Sequence, residues 1–375
     1  MVDHSKNTIS RRKFWGTALA ATGLFAVKPL ISESKVFKEF GTADNSSNLK
    51  AGEGLQIGAI TYSFRSMKNR SVQDIIQYCK DSSITSIEFM GEVAEVFAGI
   101  PGGSGPDLET VERNIAGYGV KNIPGTTTVD RKNRPAFDFS KMTIGASGGW
   151  GSLPGNEEQR KWRKSVPMTK FEECRKLFND AGVEIHMLKV SPATWTDEEV
   201  DYAFRLGKAL GADALSDELD WVEGCVPRLA GFAEKHNMFV AFHLHQQFGF
   251  PGFSIDPYLA ASPAIMISFD IGHYYGATGQ NPCVFLEKYH DRIFNCHLKD
   301  KTGPKTTPPN TNFAWGQGET PIKDVLLLLQ KHSGHKGWPK FADIELEYPI
   351  QPWSNAVNEV KKCHQYADSI LKFGI

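Results

Sequence analysis

The sequence predicts an α/β chain folded as a (β/α)8 TIM barrel, with a long lid inserted between the second and third strands. Three observations predict it. Eight short apolar segments of strand character follow one another from Leu55 to the C-terminus. Most are followed by a stretch with apolar residues at helical spacing. The polar residues of the strand-like segments collect at their C-terminal ends, where a barrel of this kind opens. About 320 residues suit eight strand–helix units, and a doubly wound sheet is the alternative architecture.

The strand-like segments are Gln56–Tyr62, Ile84–Phe89, Val183–Val190, Ala212–Ser216, Met238–His243, Ala264–Phe269, Ile293–Leu298 and Phe341–Glu347. Helical spacing appears over Val72–Lys80, Phe171–Phe178, Val200–Leu210, Trp221–His236, Val284–Tyr289, Ile322–Leu329 and Val357–Leu371. Entry signals support several helices: Ser71 before Val72, Thr196 before Asp197-Glu198-Glu199, and Pro321 after Thr320. The gap between the second and third strands is too long for one helix. Its middle, Thr126–Pro167, is rich in Gly, Pro and Ser and is expected to form the lid, since long loops at a barrel mouth are usually functional.

Residues 1–54 stand apart. Ser10-Arg11-Arg12-Lys13-Phe14 precedes a short apolar run from Trp15 to Val27. A basic segment followed by such a run reads as an export signal, and the paired arginines resemble the twin-arginine motif. The run is shorter than the roughly 20 residues that span a bilayer. Residues 1–31 are therefore expected to be a twin-arginine signal peptide, 32–54 a linker and 55–375 the catalytic barrel. A periplasmic location follows, with no stable membrane insertion after export.

Composition narrows the partners. The 375 residues carry 42 basic and 43 acidic side chains, so net charge points to neither nucleic acid nor an anionic membrane surface. Six Cys are too few for a disulfide scaffold, and none form a CxxC pair. The basic run Arg131–Arg134 and the loop Pro101–Gly105 are weak phosphate-binding candidates; a solvated loop and a flexible hinge are the simpler readings.

The strand ends carry the chemistry. The first segment ends Thr61-Tyr62-Ser63-Phe64-Arg65, and the second carries Glu88. The third ends in Lys189 and the fourth runs into Ser216-Asp217-Glu218. His243, His245, His273 and His297 sit at the ends of the fifth, sixth and seventh, with Asp270 and Lys299. Imidazoles converging with carboxylates suit a divalent metal: Mn, Co, Zn, Fe or Mg. Strand alternation puts Asp343, Glu345 and Glu347 on one face. Glu347 would then be at the mouth, Glu345 deeper and Asp343 near the bottom. His297 and Lys299 also share a face, so His297 is expected to ligate and Lys299 to reach a substrate oxygen, or else to form a rim salt bridge. Lys189 is a base candidate whose alternative is a lysine paired with a carboxylate. Tyr62, Arg65, Glu88 and His273 are expected to face substrate.

The segments QIGAITYSFR, SIEFMG, FHLH, FDIGHYYG, HLKD, GQGE and IELEYP, in this order, resemble the xylose-isomerase-like barrel superfamily of sugar phosphate isomerases/epimerases and AP endonuclease family 2. WRKSVPMTKFEECRKLFNDAGVEI resembles a twin-arginine-exported subgroup common in Bacteroidota. The resemblance implies a metal held by a mid-barrel Glu, an Asp, a His and a final Glu. The last three fall on Asp270, His297 and Glu347. The fifth strand has His243 where epimerases such as D-psicose 3-epimerase have a Glu, so Glu218 from the fourth strand is expected to complete the set, with His243 as a fifth candidate. His273 resembles a His that contacts substrate or a second metal. The implied chemistry is removal of a proton next to a carbonyl, by His243, His245, Lys189 or Glu347, leading to isomerisation, epimerisation or β-elimination from a 3-keto-glycoside. Export makes an unphosphorylated small carbohydrate the expected substrate, and a homo-oligomer is compatible with all of this. The competing readings are a non-catalytic carbohydrate-binding barrel and an AP-endonuclease-like metal phosphodiesterase.

Overall fold

The computed structural model describes residues 54–103, 156–219 and 224–374. The expected signal peptide, nearly all of the linker and most of the expected lid lie outside the described residues. Eight parallel strands close into a barrel. They are β1 (Gln56–Ile60), β2 (Ser86–Met90), β3 (Glu184–Lys189), β4 (Ala214–Glu218), β5 (Phe239–His243), β6 (Ile265–Asp270), β7 (Ile293–Leu298) and β8 (Phe341–Ile344). Each predicted strand is present, with ends that differ by one to three residues in most. The barrel closes by pairing β1 with β8, Gln56 beside Phe341 and Gly58 beside Asp343. Gly58 is needed there. A Cβ at this position would stand 2.3 Å from Asp343 Oδ1 and 2.8 Å from the Ser86 carbonyl oxygen.

The surrounding helices are α1 (Val72–Ser82), α2 (Gly91–Ala98), α3 (Glu157–Ser165), α4 (Thr169–Asp180), α5 (Asp197–Leu210), α6 (Cys225–His236), α7 (Asp256–Leu259), α8 (Ile271–Thr278), α9 (Pro282–Tyr289), α10 (Ile322–Lys331) and α11 (Ala356–Phe373). Their entries follow the side-chain chemistry of the termini. Ser71 and Asp74 form a reciprocal capping box on α1, as Asn156 and Gln159 do on α3. Thr196 accepts from the Glu199 N–H at the start of α5. Helix α3 occupies the C-terminal part of the expected lid, so that part is helical. It is tied to the barrel by Arg163, whose guanidinium bonds both Glu95 oxygens on α2 (2.8 and 3.1 Å) and Glu199 on α5 (2.9 Å). All three side chains are buried.

Inside the barrel, Met187, Ala214, Ala241 and Met266 form an apolar plug. A polar set accompanies it on neighbouring strands: Asp343 accepts from Asn295 Nδ2 at 2.7 Å and meets His186 Nε2 at 3.1 Å. Two residues further along β8 and β7 the chain reaches the mouth. Among the described residues no helix is long and apolar enough to cross a membrane.

Candidate metal centre and active site

Four donors converge where β5, β6, β7 and β8 end. His243, Asp270, His297 and Glu345 each offer a ligand atom, and these atoms lie within 4.8 Å of one another. His243 Nε2 is 3.4 Å from Asp270 Oδ2 and 3.8 Å from Glu345 Oε2. His297 Nδ1 is 2.8 Å from Glu345 Oε2. Donors that share one ion at about 2.1 Å have spacings of this order. The outer side of His297 supplies a second test of fit. Its Nε2 lies 2.5 Å from Glu88 Oε2, and Glu88 is fully buried. A carboxylate that fixes one imidazole nitrogen so that the other faces a metal is the usual support of a histidine ligand. The residues therefore fit a divalent ion, with two imidazole and two carboxylate donors suited to Mn, Fe, Co or Zn.

This geometry revises several expectations. Glu345, not Glu347, stands in the cluster. Strand β8 stops at Ile344, so simple alternation does not extend to both glutamates. The Glu345 N–H still donates to the Leu298 carbonyl, but the Leu346 N–H donates to Ser63 Oγ, and the Leu346 carbonyl accepts from Arg65. Arg65 is 4% exposed and holds this segment in place. Glu88 likewise supports His297 from inside the barrel, because β2 runs two residues beyond it to Met90. His243 offers the fourth donor atom of the cluster. Glu218 belongs to an adjoining group with His243 and His245.

In that group Glu218 Oε1 accepts from Lys189 Nζ at 2.5 Å and lies 3.5 Å from His243 Nδ1. Glu218 Oε2 is 3.3 Å from His245 Nδ1. Burial works to raise the Glu218 carboxyl, but Lys189, His245 and His243 outweigh it and hold it well below the usual carboxylate range. Burial lowers His245 against the pull of Glu218, and the net direction is down. His297 goes the other way: burial opposes its charge, yet Glu88 and Glu345 raise it well above the ordinary imidazole value.

Asp270 does two jobs through one side chain. Its Oδ1 accepts from the His273 N–H at 2.7 Å, capping α8, which starts directly after β6. That cap brings the His273 ring to the site, where burial holds it well below its usual value. Lys299 Nζ is 3.0 Å from His273 Nε2 and 2.7 Å from Glu347 Oε2. Glu347 thus pairs with a lysine at the edge of the site. Asp300, the last residue of HLKD, accepts from the N–H groups of Gly316, Gly318 and Thr320, fastening the GQGE loop to the end of β7. Tyr62, Met90, Lys189, His243, His245 and Glu345 line the cleft that opens onto the cluster. Sequence reasoning missed Lys301, a buried lysine that desolvation draws down to about 8. Its position just after HLKD was the available signal.

No protein-family model matches the chain, and no curated protein matches it. Solved structures do. A sugar phosphate isomerase/epimerase from Parabacteroides distasonis aligns at 14% identity over 85% of this chain and 97% of its own, with a TM-score of 0.51. A xylose isomerase domain protein from Alicyclobacillus acidocaldarius aligns at 10% identity over 84% and 98%, with a TM-score of 0.52. A 3-keto-D-glucoside 4-epimerase from E. coli aligns at 9% identity over 84% and 99%, with a TM-score of 0.50. At these identities the likeness is one of fold: the chain is a (β/α)8 barrel of the kind found in xylose-isomerase-like sugar isomerases and epimerases.

Proposed function

We propose that the protein is a divalent-metal-dependent carbohydrate enzyme that removes a proton from the carbon next to a carbonyl. The observation that carries this reading is His245 beside the four-donor cluster. It is the most exposed of the four strand-end histidines, with Glu218 on its Nδ1. When bound, the ion supplies a Lewis acid that polarises the substrate carbonyl. His245 takes the proton, with Glu218 orienting the ring and stabilising the charge it gains. Lys189 holds Glu218 ionised and in place. The other base candidates are engaged: His243 faces carboxylates with both nitrogens, Lys189 is paired with Glu218, and Glu347 with Lys299. Tyr62 and Met90 offer an apolar wall for a sugar face.

The fate of the proton separates the outcomes. Return to a neighbouring carbon is isomerisation, return to the opposite face is epimerisation, and loss of a β-substituent is elimination. The substrate class we assign is an unphosphorylated keto-sugar or 3-keto-glycoside. The 3-keto-D-glucoside epimerase among the structural neighbours and the twin-arginine motif before Phe14, which we read as an address to the periplasm, support that choice. The test uses a 3-keto-glucoside with a chromogenic aglycone in D2O with Mn²⁺ or Co²⁺. Deuterium should enter next to the carbonyl wherever a proton is returned to carbon, and chelator should stop turnover. Aglycone release identifies the lyase; an epimer without release identifies the epimerase. Absence of both deuterium uptake and aglycone release from every keto-sugar refutes the proposal.

A further inference from the structure

Lys299 is held in an unusual way for a lysine. It is 2% exposed. Its Nζ lies 2.8 Å from Asp270 Oδ2, 2.9 Å from Glu345 Oε2 and 2.7 Å from Glu347 Oε2, with His273 Nε2 at 3.0 Å. Two of those oxygens, Asp270 Oδ2 and Glu345 Oε2, are the same atoms that face His243 Nε2 in the donor cluster. The ammonium and an ion in the cluster would thus draw on the same two carboxylates. The fold makes room for this approach at Gly272. A Cβ there would stand 2.3 Å from Lys299 Cγ and 2.7 Å from the Lys299 carbonyl oxygen.

We infer that Lys299 is a tethered cation that competes with the divalent ion for Asp270 and Glu345. This inference rests on the metal reading above. The remaining contacts, Glu347 and His273, give the ammonium a place to go: ion binding turns it away from the shared oxygens and toward these two. Lys299 therefore sets how tightly the ion is held, independently of any part it takes in turnover. A unit charge about 4 Å from a dication weakens binding about tenfold or more, even at the dielectric of water.

The experiment is calorimetric titration of the purified full chain with Mn²⁺, comparing wild type with Lys299→Met, Lys299→Gln and Lys299→Arg. The Met and Gln variants should bind Mn²⁺ about tenfold tighter or more, whereas the Arg variant, which keeps the charge, should not. Equal or weaker binding in both neutral variants overturns the inference. Absence of binding to every protein, wild type included, overturns the metal reading and the inference with it, and the wild-type titration alone tells that case apart. If the metal-free variants melt below the assay temperature, the melting temperature against Mn²⁺ concentration reads the same affinity. A larger metal-induced rise than in wild type supports the competition; an equal or smaller rise overturns it.

Discussion

Replacing Glu345 and Glu347 separately by Gln gives a sharp test of the proposed centre. Both changes remove one negative charge while keeping shape. Glu345 Oε2 is within 2.8 Å of His297 Nδ1, so in the ion-bound protein it would be a direct ligand. Glu347 Oε2 reaches the cluster across Lys299, through steps of 2.7 and 2.9 Å, and across His273, through two steps of 3.8 Å. A carboxylate about 2.1 Å from a dication contributes about 4 kcal/mol of attraction even at the dielectric of water, and one about 6 Å away contributes about 1.4 kcal/mol. Glu345→Gln should therefore weaken Mn²⁺ binding about a thousandfold and Glu347→Gln only about tenfold. Isothermal titration, with metal content of the dialysed proteins as a second readout, measures both. Equal losses in the two variants, or a larger loss in Glu347→Gln, would refute the ligand assignment and restore the order that strand alternation suggests.

Glu88→Gln keeps an acceptor for His297 Nε2 but removes the charge; metal affinity should fall about 10- to 100-fold, by the same titration, with the fold unchanged in far-UV circular dichroism. Arg163→Met leaves the buried Glu95 and Glu199 without the cation they share, so the urea midpoint should fall by the equivalent of about 3–5 kcal/mol at an unchanged slope, and a shift within error of zero would show that the triad is not structural. Because burial lowers His245, it stays neutral below the ordinary imidazole value of about 6.5, and activity should be lost only as pH falls through that lowered value. A kcat/KM profile whose acid limb lies above about 6.5, or one unchanged in His245→Ala, rules His245 out as the base.

The barrel was legible because each strand is an unbroken apolar run between helix signals, and burial on both faces of a parallel sheet demands that pattern. The mouth was legible for a related reason: His243, Asp270 and His297 are polar residues at ends of segments that are otherwise apolar. What failed was depth. Glu88 reads as a rim residue when β2 is taken to end at Phe89, yet the strand continues to Met90 and leaves Glu88 fully buried. Glu345 and Glu347 cannot be ordered by alternation, because backbone pairing ends at Ile344 and Ser63 and Arg65, distant in sequence, take over the chain. Partners across such separations leave no local trace, and neither does the choice between Glu218 and His243, which depends on how β4 and β5 register.

The charges around the site bear on what the cluster is for. Among the described residues, the buried Glu88, Glu218, Asp270 and Glu345 and the partly buried Glu347 face three lysines, Lys189, Lys299 and Lys301, in an interior that penalises any imbalance. This set leaves an excess of negative charge, to which the buried Asp217 beside Lys189 adds. Without an ion, two histidines meet the deficit. Burial opposes charge on both, but Glu218 raises His243, and Glu88 and Glu345 raise His297. A dication at the cluster meets it instead and needs both imidazoles deprotonated at their donor atoms. Binding should then release about two protons near neutral pH. Titrations of Mn²⁺ in buffers of different ionisation enthalpy count those protons directly. Release of none would mean that the histidines are already neutral and that the carboxylates, not an ion, are what the fold uses to hold its lysines.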